Sequence, residues 1–405
     1  MKITVFPTVL NGITNAPASK SITHRALICA SFCRDKSIIK NPLIANDTLE
    51  TIEALKNLGA RILLTKNTIE VEGIQTDPHL FLSFKESASS LRMILPYVLF
   101  KRGKTTIGLN DVLLRRLTPQ ELLLFDEAII DNTGMSLTCS FNFDKKVYNI
   151  IGNATSQWAS GFLLLLPILD NKKVFLDDKL LNNPYLILTK EVMSQFGVTL
   201  IQEDSYFSSS SSYQSTNTTI EGDWSNAALW LLLNFLGSNI EIMNLNENSL
   251  QGDREITNII NKLKQSDDIT IDLSNNLDLA LVVAAASALR VGVTTLTGLK
   301  RLTHKESNRF QVILDLMEAF DIKTIHTDNQ ITIYGCQTLK GGLTIDSYND
   351  HRVIMALLIL ASKCEKPITI LNAEAINKSY PTLYDDYIKV GGLLKKEITI
   401  DKSSK

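Results

Sequence analysis

Charge of either sign is not in excess in this 405-residue chain, where 41 Lys and Arg stand against 43 Asp and Glu for a formal net charge of −2. Generic nucleic-acid binding needs a strong positive balance or a basic stripe, so that class is excluded. Long apolar runs are also missing: the longest, 279–289 and 353–361, are too short to span a bilayer. The start, Met1-Lys2-Ile3-Thr4-Val5-Phe6-Pro7, lacks the apolar core of a signal peptide, and the expectation is a cytoplasmic protein. Cysteine is sparse. Cys29, Cys33, Cys139, Cys336 and Cys364 are odd in number and scattered, and only His24 lies near the first two. Reduced, mostly buried thiols are expected, with no metal site. The hydrophobic share, 44%, is ordinary for a globular protein, and the length exceeds one ordinary core, so two domains are expected.

The most informative stretch is Pro17-Ala18-Ser19-Lys20-Ser21-Ile22-Thr23-His24-Arg25. Ser19 suits the N-cap of a helix, which puts Lys20 in a first turn that already favours anions. Ser21 and Arg25 are four apart and share a face. Alone, this reads equally well as a capped surface helix, but the arrangement recurs. First-helix starts are expected near 20, 87, 156, 224, 278 and 350, and second-helix starts near 47, 119, 185, 253, 305 and 378. Both series advance by roughly 70 residues and both shorten at the same step, after 224 and after 253. Six copies of one unit alternating helix with strand make compact α/β domains the expectation. Within the second copy, helices are expected over 87–100 and 119–131, the latter ended by Gly134.

The first helices are apolar nearly all round, as in Phe162-Leu163-Leu164-Leu165-Leu166 and Leu229-Trp230-Leu231-Leu232-Leu233, and should be buried. Only their starts stay polar, and these carry the unusual residues. The serine run 208–212 reads as a linker or as a mobile hairpin tip. The tail after Thr399 should fray.

Taken together, the motifs resemble the enolpyruvyl transferase family, and within it the branch that acts on shikimate 3-phosphate. The resemblance covers Lys20 to Pro381. Lys20-Ser21-Ile22-Thr23-His24-Arg25 is similar to the family's K-S-x-x-x-R, Ser89-Ser90-Leu91-Arg92 to T-x-x-R, Thr155-Ser156-Gln157 to S-S-Q, and Asn182-Asn183-Pro184-Tyr185 to S-x-P-Y. Glu221-Gly222-Asp223, Gln251-Gly252-Asp253 and Asn349-Asp350-His351-Arg352 match as written, while Lys305-Glu306-Ser307-Asn308-Arg309 and Lys378-Ser379-Tyr380-Pro381 are similar to K-E-[ST]-D-R and K-T-[FY]-P.

The resemblance implies an α/β fold of two domains, 16–222 and 1–15 plus 223–405, each with three repeats whose helix N-termini face an interdomain cleft. It implies transfer of the enolpyruvyl group of phosphoenolpyruvate to the 5-hydroxyl of shikimate 3-phosphate, in chorismate and aromatic amino acid biosynthesis. No cofactor or metal is implied, and a monomer is expected. By the same carry-over, Asp278 is the candidate base, Glu306 and Lys378 are alternative proton donors to the methylene carbon, and Lys20 is also placed in the catalytic set. Lys20, Arg92, Arg116, Gln157, Arg309, Arg352 and Lys378 are the positions for phosphoenolpyruvate, Arg116 being preferred to Arg115. Ser21, Arg25, Thr155, Ser156, Gln157, Tyr185, Asp278 and Lys305 are those for shikimate 3-phosphate. Without the resemblance, Asp278 would read as a plain N-cap, Lys305-Glu306 as a solvated helix start, and Tyr185 as a core tyrosine.

The chain departs from the family pattern at Glu86-Ser87-Ala88-Ser89, which stands for N-A-G-T, and at Asn182, Leu277 and Arg301. Ala88 replaces a glycine of the phosphoenolpyruvate pocket, so poor sensitivity to glyphosate is expected. Two rivals remain open. One is the sister enzyme acting on UDP-N-acetylglucosamine, against which stands the lack of a cysteine between Leu109 and Pro119. The other is a catalytically silent anion-binding paralogue.

Overall fold

The computed structural model describes residues 1–150 and 155–397. The tail expected to fray lies outside them. The chain forms two compact units. The first is Ala18–Glu221; the second joins Met1–Pro17 to Gly222–Lys405. The crossings therefore fall after Pro17 and after Glu221. At the second crossing Gly222 lies so close to its neighbours that a Cβ there would sit 2.3 Å from the Asn244 carbonyl oxygen, and its N–H bonds that same oxygen.

In the first unit three four-stranded sheets repeat one pattern, a parallel pair extended by two antiparallel strands. In the first sheet Asn217–Thr219 runs parallel to Ser37–Lys40, which pairs with Thr68–Glu72 and so with Arg61–Leu64. The same order holds for Ser83–Phe84, Lys104–Leu109, Ser136–Ser140 and Glu127–Asp131, and for Val147–Ile150, Lys173–Leu176, Tyr206–Ser209 and Leu200–Glu203. The helices Lys20–Ser31, Ala88–Arg102 and Ser156–Leu165 are buried along nearly their whole length. This follows from their all-round apolar sequence, because a helix with no polar face has nothing to offer water. Gly161 lets two of them meet: a Cβ there would lie 2.6 Å from the Arg92 carbonyl oxygen.

The second unit repeats the pattern with two of its sheets. One comprises Ile269–Asp272, Val293–Thr297, Gln330–Tyr334 and Thr324–His326. In the other, Thr344–Asp346 runs parallel to Ile368–Leu371, and Lys2–Phe6 lies between that strand and Leu393–Glu397. The fourth copy is cut down to Asn239–Met243 parallel to Asn11–Asn15. Its helix Ile256–Leu263 leads straight to the next strand with no hairpin between, which is why both spacings shorten there. The buried helices are Trp224–Phe235, Ala280–Ala288 and His351–Ala361.

Three readings of the sequence need correction. The helix expected over 119–131 is a single turn, Pro119–Leu122, followed by the strand Glu127–Asp131. Ile129 and Ile130 alternate across a hairpin, and Gly134 sits in its turn, where Asp131 Oδ1 accepts the N–H groups of Thr133 and Gly134. The serine run is neither linker nor hairpin tip. Ser208 and Ser209 belong to a strand paired with Leu200–Glu203, and beyond them Tyr213 is buried with its hydroxyl donating to the Leu164 carbonyl. In the second unit several second-helix motifs precede their helices, on short 3₁₀ turns or the chain beside them. Gly252–Glu255 comes before Ile256–Leu263, and Ala373–Lys378 before Leu383–Lys389.

Cys29, Cys33, Cys139 and Cys364 are buried and Cys336 is exposed, all with free thiols. Burial pushes the Cys33 thiol up to about 11. No helix among the described residues is long and apolar enough to cross a membrane.

Candidate active site

In the first unit the unusual residues cluster at helix starts. Ser19 Oγ accepts the Ile22 N–H and caps Lys20–Ser31. Lys20 thus opens the helix, and its Nζ bonds Asp47 Oδ2 at 2.9 Å. One turn on, Arg25 is buried, and among the described residues its hydrogen bonds go to neutral acceptors. Its Nε donates to Thr189 Oγ1 at 2.7 Å, and its terminal nitrogens to Ser160 Oγ and to the Ser21 and Tyr185 carbonyls. Burial lowers its pKa to about 10. Tyr185 opens its own helix beside Asn183, whose Oδ1 accepts the Tyr185 N–H.

Arg92 lies on the second buried helix. It donates to Gln157 Oε1 at 2.8 Å, to the Arg116 carbonyl at 2.9 Å, and to the buried Glu121 carboxylate at 2.9 Å. Trp158 Nε1 meets the same carboxylate. Gln157 Nε2 donates to Ser89 Oγ at 2.8 Å. Thr155 stands at the N-cap and Ser156 at the first position of their helix, and Thr155 Oγ1 is buried without a partner among the described residues. Arg116 is buried, with one donor on the Glu86 carbonyl at 3.1 Å and its Nε without a partner among the described residues. Arg115 is largely exposed and pairs with Asp111. Glu50 holds the departing segment in place, its carboxylate accepting the N–H groups of Glu86 and Ser87. Burial raises the Glu50 pKa to about 7.

The second unit gathers the acids. Asp278, expected as an N-cap if structural, sits instead in the one-turn helix Leu277–Leu279. Its Oδ1 receives Lys305 Nζ at 3.0 Å and Arg309 at 2.8 Å. Arg309 is 1% exposed, and four of its five N–H donors have carboxylate partners, on Asp278, Glu306 and Asp350. Burial alone would lower its pKa, but those three carboxylates outweigh it and hold the guanidinium charged. Glu306, Asp350 and His351 present ligand atoms within 4.8 Å of one another, and Arg309 already supplies the positive charge on both carboxylates. Asp350 caps His351–Ala361 through the Arg352 N–H at 2.9 Å. Arg352 is buried and donates to the Ser225 carbonyl at 2.7 Å and to Asn226 Oδ1 at 3.1 Å, with its Nε without a partner among the described residues. Lys378 is 4% exposed and donates to the Asn349 carbonyl at 2.6 Å.

Each unit therefore brings its share of the sequence-derived set together. Lys20, Ser21, Arg25, Arg92, Arg116, Thr155, Ser156, Gln157 and Tyr185 lie in the first, and Asp278, Lys305, Glu306, Arg309, Arg352 and Lys378 in the second. Sequence reasoning gave no role in the site to Asp47, Glu121, Ser160, Thr189, Ser225 or Asn226, which bond the cations. Asp350, by contrast, stood inside a quoted motif.

Residues 6–387 match the family described as EPSP synthase (3-phosphoshikimate 1-carboxyvinyltransferase). The chain belongs to the EPSP synthase family. It is 31% identical to a 3-phosphoshikimate 1-carboxyvinyltransferase of Clostridium kluyveri over 96% of this chain and 97% of that one. It is 30% identical to the one from Clostridium perfringens strain 13 over 98% and 100%. Among solved structures, EPSP synthase from Acinetobacter baumannii superposes with a TM-score of 0.78 at 18% identity, covering 98% of this chain and 100% of that one. The enolpyruvyl transferase NikO from Streptomyces tendae gives 0.72 at 14% identity, covering 97% and 98%. These two neighbours share the enolpyruvyl transferase fold with this chain.

Proposed function

We propose that the chain transfers the enolpyruvyl group of phosphoenolpyruvate to the 5-hydroxyl of shikimate 3-phosphate and releases phosphate, acting as a monomer with its two units, Ala18–Glu221 and Met1–Pro17 plus Gly222–Lys405, as domains. One observation carries this reading on the side of geometry. Arg25, Arg116 and Arg352 are buried guanidinium groups whose hydrogen bonds, among the described residues, go to neutral acceptors. A buried cation without a counter-ion is costly, and a phosphate or carboxylate ligand supplies the missing charge in bidentate form.

The first unit contributes Lys20, Arg92, Arg116 and Gln157 to phosphoenolpyruvate, and Ser21, Arg25, Thr155, Ser156, Gln157 and Tyr185 to shikimate 3-phosphate. The second contributes Arg309, Arg352 and Lys378 to the former, and Asp278 and Lys305 to the latter. Asp278 takes the proton of the 5-hydroxyl as oxygen attacks C2 of phosphoenolpyruvate. Glu306 or Lys378 delivers a proton to the methylene carbon, giving a tetrahedral intermediate. Loss of phosphate with return of a methyl proton completes the transfer, so donor and acceptor exchange roles. Lys20, held by Asp47 at the head of a buried helix, supports the charge that builds on the phosphate.

Phosphate release assayed with each acceptor tests this. Turnover is expected with shikimate 3-phosphate and none with UDP-N-acetylglucosamine. Binding of both ligands by calorimetry without phosphate release would establish the silent paralogue instead. A second outcome concerns Ala88, which is buried at the first position of Ala88–Arg102. Ala88→Gly should lower the glyphosate concentration for half-inhibition by at least tenfold, on the order of 1.4 kcal/mol. Low-micromolar inhibition of the unaltered protein would refute the role given to that methyl.

A further inference from the structure

Asp253 ends the motif Gln251-Gly252-Asp253, which the reaction above leaves unused. Its residue is 4% exposed, on the short turn Gly252–Glu255. One carboxylate oxygen accepts a short hydrogen bond from Ser225 Oγ, and the other accepts from Asn276 Nδ2 at 3.3 Å. Both partners are neutral, and among the described residues no Lys, Arg or His forms an ion pair with it. Each partner leads to a residue of the site. Asn276 begins the turn that carries Asp278, and its amide also holds the Gly252 carbonyl at 2.7 Å. The carbonyl of Ser225 accepts from Arg352 at 2.7 Å.

We propose that Asp253 is a positioning residue for Asp278, fixing its turn through Asn276 and keeping it proton-accepting through a buried negative charge. The inference rests on the reading of Asp278 as the base. Asp278 carries two cations on one oxygen, Lys305 at 3.0 Å and Arg309 at 2.8 Å. Opposite charges at that range favour the ionised carboxylate and weaken it as a base. A nearby anion shielded from water acts against them. The interaction is mutual: burial raises the Asp253 pKa to about 6, and Asp278 pushes it the same way, against a downward pull from Arg352 and the two hydrogen bonds.

The charged surroundings are few. Trp224–Phe235 has no titratable side chain. Asp278 comes from the turn Leu277–Leu279 with Lys305 and Arg309 bonded to it, and Arg352 from His351–Ala361. On the same turn, Arg254 bonds the Glu247 carbonyl and Glu255 bonds Asn258.

Steady-state kinetics from pH 5 to 9 on Asp253→Asn, Ser225→Ala and Asp278→Asn test this. An asparagine amide can hold both neighbours, since its oxygen still accepts from Asn276 and Ser225 Oγ can turn to accept. Asp253→Asn should lower kcat about tenfold, the equivalent of one unit of base strength, with KM for phosphoenolpyruvate within about twofold. The acid limb of kcat should move to lower pH, because the anion that makes Asp278 more basic is gone. Ser225→Ala removes a hydrogen bond to the charged form, so its acid limb should move to higher pH. An unchanged acid limb in both variants would overturn the inference, whatever their melting temperatures. Asp278→Asn separates the two readings: if it keeps kcat within about tenfold of the parent, the base assignment itself fails.

Discussion

Replacing Arg309 by methionine should destabilise the second unit by about 3–5 kcal/mol, measured by denaturant unfolding at neutral pH. Methionine fills much of the same volume, so the loss comes from charge. Three carboxylates, Asp278, Glu306 and Asp350, would lose the guanidinium they share, leaving Lys305 paired with Asp278. The pH dependence gives the sign. Without the guanidinium the buried acids should have folded-state pKa values above their unfolded ones. Protonation then favours the folded form, and the variant should recover stability as pH falls from 7 towards 5. A loss below about 1 kcal/mol, or no recovery in acid, would show that the cluster is not held by this cation.

Turnover should fall by about 10²–10⁴ in Asp278→Asn, the range for loss of a positioned general base. Shikimate 3-phosphate should still bind, because Ser21, Arg25, Thr155, Ser156, Gln157 and Tyr185 are untouched. Lys378→Met, compared alongside, distinguishes the two candidate proton donors. If it blocks exchange of the methylene protons of phosphoenolpyruvate with solvent while Glu306→Gln does not, Lys378 is the donor. Near-normal kcat in Asp278→Asn would remove Asp278 from the chemistry.

Much of the fold was legible because its signals are local. Ser19, Asp223 and Asp350 each cap a buried helix as a short oxygen-bearing side chain at a helix start should. The apolar helices could be recognised as buried from composition alone. The hairpin after Pro119 was missed because Leu122-Leu123-Leu124-Phe125 extends the apolar run, and propensity cannot see the pairing with Ser136–Ser140 that decides the matter. Within the site, the cations could be read and their partners could not. Lys20 meets Asp47, and Arg92 meets Glu121, across tertiary contacts that no spacing rule encodes. Arg115 and Arg116 differ by one position on a helical turn, which is enough to leave one in solvent and bury the other.

The strand Lys2–Phe6 is flanked on one side by Ile368–Leu371 and on the other by Leu393–Glu397, while Asn11–Asn15 fills the place beside Asn239–Met243. The order of synthesis therefore matters. The stretch 18–221 is contiguous and can finish folding as soon as the ribosome has released it. Lys2–Phe6 precedes that stretch while both of its partner strands follow it, so the sheet of Lys2–Phe6 can close only after 18–221 has been synthesised.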